Sequence, residues 1–130
     1  MLSLVRSAIV LLYPRTDELP GAEDCGLDAF LERYREETTP LVWLGVVLGA
    51  VVFHLTPVFT VGVPLPAFAL SPRLGDKHAN AIAQTDSYVL RQAIFLLKLV
   101  AGLAWGQGAE VRARLGLSAL PPDPDTWRTE

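Results

Sequence analysis

Between Leu41 and Leu70 the chain carries no carboxylate, lysine or arginine, and prolines at 57, 64 and 66 interrupt that stretch. Together these features exclude the simplest fate of a long apolar run. A membrane-spanning helix needs about 20 apolar residues. Thr39 can cap a helix and Pro40 suits its first turn, but Pro57 lacks the amide donor and clashes with the preceding turn, so the helix ends near Thr56. Its length of about 17 residues lies at the bottom of the spanning range. Beyond it, "VFTVGVPLPAF" reads as an extended or irregular arm whose open backbone groups hydrocarbon would not satisfy. The second apolar stretch, residues 89–105, contains Arg91 and Lys98, both costly at mid-bilayer. The 41–70 segment is therefore expected to be covered by another protein surface. The alternative is a two-helix hydrophobic hairpin that anchors or scaffolds at a membrane.

The whole composition points the same way. Hydrophobic residues make up 51% of the 130-residue chain and charged ones 19%, where ordinary soluble domains carry about 25% charge. Such a chain is short of polar covering and should hide apolar surface against a partner or lipid. Eleven basic residues against 14 acidic ones leave no basic footprint for nucleic acid. Cys25 is the only cysteine, so no intrachain disulfide forms, and its acidic neighbours disfavour a thiolate. The N-terminal apolar run contains Arg6, lacks a basic cluster, a twin-arginine pair and a small-x-small cleavage site, and ends at Tyr13–Pro14. It reads as the first helix of the domain rather than as a signal peptide.

Periodicity predicts an all-α domain of about five helices over residues 1–117, with a proline-rich irregular arm after the third and a proline-rich tail at 118–130. Leu2, Val5, Ile9 and Leu12 share one face of the first helix. Leu27, Phe30, Leu31 and Tyr34 define the second, with Asp28, Glu32, Arg33, Arg35 and Glu36 around the rest. The third opens at Pro40. Ser71–Pro72 starts a short polar passage, Asp76 caps a long helix from about His78 to Trp105, and a short helix follows at Ala109–Leu115.

Candidate chemistry is sparse. His54 has no second ligand at metal spacing on its helix and reads as bonded to a backbone carbonyl near Pro57. Asp76, Lys77 and His78 are adjacent and so diverge on a helix. There is no phosphate-cradling glycine loop, nucleophile elbow or HExxH motif. No residue is expected to be catalytic, to hold a metal or to bind a cofactor. Arg91 reads either as a surface charge with its stem packed down or as the partner of a carboxylate, Asp86 or one on the second helix.

The ordered motifs nevertheless resemble a family. The opening "LYPRTDELPGAEDCGLDAFLERY" has an aromatic–Pro pair, then Leu19-Pro20-Gly21-Ala22, an acidic residue, Gly26 and an amphipathic helix. Later come a start at Phe68–Ser71, a polar helix, a Ser-x-x-x-Arg step at Ser87 and Arg91, an apolar helix and Val-x-x-x-Leu-Gly at Val111–Gly116. In order, over residues 11 to about 117, this is similar to the gluconate 2-dehydrogenase subunit 3 family. Its members are small subunits or N-terminal domains of FAD-dependent oxidoreductases of the glucose–methanol–choline type. The resemblance implies a non-catalytic accessory subunit that stabilises a larger flavoprotein, with FAD and the catalytic histidine on that partner. A lipophilic alcohol or steroid as substrate would suit the apolar middle segment. The expected partner contacts are Trp43, Val47, Val51, His54, Phe59, Phe68, Arg91 and Trp105, with a membrane surface as a second contact. The expected location is the cytoplasm or the cytoplasmic face of a membrane, with export only on a signal carried by the partner.

Overall fold

A computed structural model describes residues 1–121, and within them the chain is all-helical. Eight α-helices are present, more than the five expected. They are α1 (Leu2–Leu12), α2 (Leu27–Glu37), α3 (Pro40–Leu55), α4 (Pro57–Thr60), α5 (Pro72–Ala83), α6 (Tyr88–Ala93), α7 (Phe95–Gly106) and α8 (Ala109–Arg114). Two 3₁₀ turns, Ala22–Cys25 and Ala67–Ala69, complete the set. Of the tail at 118–130, residues 122–130 lie outside the described residues.

The extra helices come from two places. Pro57 stops α3 and at once serves as the first residue of the single turn α4, where its missing N–H costs nothing. The long helix expected from His78 to Trp105 is three pieces. Ser71–Pro72 opens α5 six residues before His78, so Asp76 sits inside that helix and caps nothing. Residues 84–87 are non-helical, and the Ser87 hydroxyl accepts the Leu90 amide to cap α6. Thr85, Asp86 and Ser87 offer the backbone side-chain hydrogen bonds that compete with a continuous helix.

The core lies where α1, α3 and α7 meet, with α2 and α5 closing its ends. Val5 and Ile9 of α1, Val46, Ala50 and Phe53 of α3, and Leu97, Val100 and Ala104 of α7 are buried together. Leu27 and Leu31 come from α2 and Ile82 from α5, so the amphipathic faces read from spacing are the faces that pack. The α3–α7 contact is close because glycines line it. A Cβ built on Gly49 would come 3.1 Å from the Ala93 carbonyl oxygen and 3.1 Å from Leu97 Cβ, while Gly45 faces Leu96.

The connection from Tyr13 to Gly26 is a hydrogen-bonded turn rather than a loose loop. The Ala22 amide donates to the Tyr13 carbonyl (2.9 Å), and Arg15 pairs with Asp24, whose carboxylate also accepts the Gly21 amide (2.9 Å). That guanidinium, first of all, holds the Asp24 carboxyl below its ordinary pKa. Trp105 then locks the turn to the end of α7. Its indole N–H donates to the Pro20 carbonyl (2.9 Å), and its ring stacks on Tyr13 with centroids 5.2 Å apart.

Candidate functional site

Two features remain once the core is accounted for: an open apolar face and a buried pair of histidines beneath it. On α3 the residues that point out of the fold are Leu41, Leu44, Leu48 and Leu55. Their spacing of three, four and seven keeps them on one arc of the helix. Leu41 is 78% exposed. The row continues past Pro57 into Val58, Phe59, Leu65 and Phe68, with Phe59 85% exposed. On the neighbouring α7, Phe95, Leu99 and Leu103 are also exposed. Exposed leucines and phenylalanines at this density exceed the scattered apolar residues of an ordinary exterior.

The residues expected to form a partner contact fall into three groups. Phe59, Phe68 and Arg91 are open to solvent. Trp43, Val51 and Trp105 are half-buried, and the Trp105 indole is engaged by Pro20 and Tyr13. Val47 and His54 are buried within the chain, so they support the face from below. The outward leucines of α3 went unnoticed because that helix is apolar on every side and a pattern without polar residues has no phase. Arg91 is the exposed surface charge of the first reading and takes neither carboxylate partner of the second. Among the described residues its side chain makes no hydrogen bond or ion pair, and Asp86 sits before the α6 cap.

His54 and His78 come from different elements yet meet across one phenylalanine. Their rings lie 5.7 Å and 4.6 Å, centroid to centroid, from that of Phe53. His54 is 2% exposed and His78 is wholly buried. The His54 Nε2–H donates to the Leu4 carbonyl of α1 (3.0 Å), with Ser7 Oγ also 3.0 Å away. This is the backbone-carbonyl bond expected, but its partner lies 50 residues upstream instead of near Pro57. The His78 Nε2–H donates to the Phe53 carbonyl (2.9 Å), and its Nδ1 accepts the Thr60 hydroxyl of α4 (2.6 Å). A carbonyl can only accept, so both rings carry their hydrogen on Nε2. Nδ1 of His54 is buried without a partner, with Phe68 edge-on at 5.2 Å. Burial, first of all, lowers both histidine pKa values; the carbonyl bonds oppose this, and for His78 the charge of His54 lowers it further. The pair therefore clamps α1, α4 and α5 to α3 as neutral side chains.

Cys25 Sγ donates to the Gly21 carbonyl (3.4 Å), and burial, with Asp24 and Glu110 nearby, raises its thiol pKa, which suppresses the thiolate. Among the described residues no group of three His, Cys, Asp or Glu could hold a metal ion. Two cavities, of about 560 and 480 Å³, lie around the opening turn and the start of α8. Their polar lining is largely engaged: Asp24 with Arg15, and Glu110 with Arg114. Among the described residues no helix is long and apolar enough to cross a membrane, α3 having 16 residues and α7 having 12. Comparison with protein-family models, with curated protein sequences and with solved structures finds no match.

Proposed function

We propose that this chain is a non-catalytic helical accessory subunit that docks on a larger protein through the outward row of α3 and the arm that follows it. The observation that carries the reading is the uncharged row Leu41, Leu44, Leu48, Leu55 and Phe59, exposed on a helix whose opposite side is well packed. Stable hetero-complex interfaces are large, apolar and poor in charge at their centres. The arm suits the same role, since a protein partner can satisfy backbone groups around Pro64 and Pro66. The histidine clamp holds the root of that arm to α3, which would present Phe59 in a fixed position.

The nature of the partner rests on the resemblance in the opening turn and the later motifs. It is an FAD-dependent oxidoreductase of the glucose–methanol–choline type, carrying the flavin and the catalytic histidine. This subunit contributes no cofactor in that scheme. A lipophilic alcohol or steroid is the substrate class that fits an apolar docking face beside the catalytic chain.

Co-expression with such a flavoprotein from the same genome tests the reading. The chain should aggregate when produced alone and co-elute with flavin absorbance when produced with its partner. The L44E/L48E variant should remain helical and lose co-elution. Co-elution unchanged in that variant, or equal solubility of the lone and co-expressed wild-type chain, would sink the proposal.

A further inference from the structure

We propose that a second strip, the outer side of α6 and α7, is a seat for an anionic bilayer surface. It uses residues other than the docking row and does not depend on the identity of the docked protein. Tyr88, Arg91, Gln92, Phe95, Lys98 and Leu99 line one shallow groove of about 430 Å³. Its lining is mostly apolar, and its only charges are the two cations. Neither the Arg91 guanidinium nor the Lys98 ammonium has a hydrogen-bonded or ion-paired partner among the described residues. From Tyr88 to Gly108 the sequence contains no carboxylate at all; Asp86 and Glu110 bracket the strip at its two ends.

The occupant follows from this charge arrangement. The carboxylates gather elsewhere: eight lie between Asp17 and Glu37, on the turn and helix that meet the C-terminal end of α7, whereas the groove lies on α6 and the start of α7. A bilayer with anionic headgroups repels carboxylates over the whole area that faces it, whereas an acidic peptide needs their absence only beneath its own footprint. Aromatic and aliphatic side chains alternating with long cations match the headgroup–acyl boundary, where rings and leucines enter the boundary and Arg or Lys reach up to phosphate. The shallow form of the groove also suits a fluid surface that conforms to it. Since no described helix is long and apolar enough to span, contact of this kind lies on the membrane.

Flotation of the full chain with vesicles of phosphatidylcholine alone, and of phosphatidylcholine mixed with phosphatidylglycerol, tests the seat. Partitioning onto the anionic vesicles should exceed that onto the neutral ones and fall as salt is raised. Removing both cations in R91Q/K98Q should weaken it about 30-fold, two surface cations each contributing about a factor of five to six. F95S/L99S should also weaken it, by removing the buried apolar contact. All these residues but Lys98 are well exposed, so helicity by circular dichroism should be unchanged in each variant. Equal flotation on both vesicle types, or full binding by R91Q/K98Q, would overturn the seat, because the apolar face alone then explains adsorption. Release from anionic vesicles by soluble polyglutamate at matched ionic strength would overturn it in favour of an acidic polypeptide. R91Q/K98Q should keep co-elution with the flavoprotein and L44E/L48E should keep the preference for anionic vesicles, so the two proposals fail separately.

Discussion

Among the described residues His54 and His78 have hydroxyl and carbonyl partners but no carboxylate partner, so a proton added to either ring is uncompensated. Their folded pKa values lie below the ordinary 6.5, and the unfolded chain binds these protons more readily. Their contribution to stability is thus complete above 6.5 and is lost as pH falls through the lowered folded values. Thermal melts between roughly pH 7.5 and 5 should show the midpoint falling toward acid. In H78F the pH slope should be shallower. That variant should also lose about 1–3 kcal/mol, since the Phe53 carbonyl and Thr60 hydroxyl lose their buried partner. A melting midpoint independent of pH over that range would contradict the clamp. Cys25 gives a second prediction at this scale. With its thiol pKa raised by burial and two carboxylates, alkylation by iodoacetamide near pH 8 should be slower than that of free cysteine. Faster labelling would show an activated thiol. The lone cysteine and its acidic setting were legible in the sequence. The meeting of two histidines 24 positions apart was not, because only the packing of α5 against the start of the arm brings them to one phenylalanine.

At the level of elements, Gly49 sets how closely α3 approaches the α6–α7 pair. A side chain there meets the Ala93 carbonyl and Leu97 Cβ at once, and neither backbone nor Cβ can turn aside. Replacing Gly49 by leucine should destabilise the fold by about 1–3 kcal/mol through overpacking, read as a lower urea midpoint at unchanged slope. A stable G49L protein would mean that the helices can separate freely. Most element boundaries could be read from local chemistry. Thr39–Pro40 starts α3, with the Thr39 hydroxyl accepting the Val42 amide, and Pro57 ends it. The 78–105 stretch misled because its apolar pattern continues straight through Thr85-Asp86-Ser87, where a local cap outcompetes the ladder. Periodicity reports which residues seek a core; it does not report a break whose flanks remain apolar.

The molecule as a whole is polarised. Acidic side chains surround the opening turn and α2, while the face made by α3, the arm and the groove of α6 and α7 shows leucines, phenylalanines and two cations without an ion pair among the described residues. Introducing charge on that face should therefore change association far more than stability. L44E/L48E should shift the melting midpoint of the folded chain little, within about 0.5 kcal/mol per site, and sharply reduce aggregation in light scattering. Strong destabilisation would mean that these leucines pack within the chain after all. The sequence by itself determined the helical class, the surplus of apolar residues, the interruption of the 41–70 run by proline and the acidic setting of the lone Cys25. These follow from covalent constraints and composition, which act wherever the chain goes. Only the tertiary structure decided which side of α3 is buried and which is offered, because a helix apolar all round acquires its inner face from its neighbours. It likewise turned His54 inward, engaged Trp105 with the opening turn and left Arg91 without an ion pair among the described residues, since each outcome depends on what distant segments bring within a few ångströms.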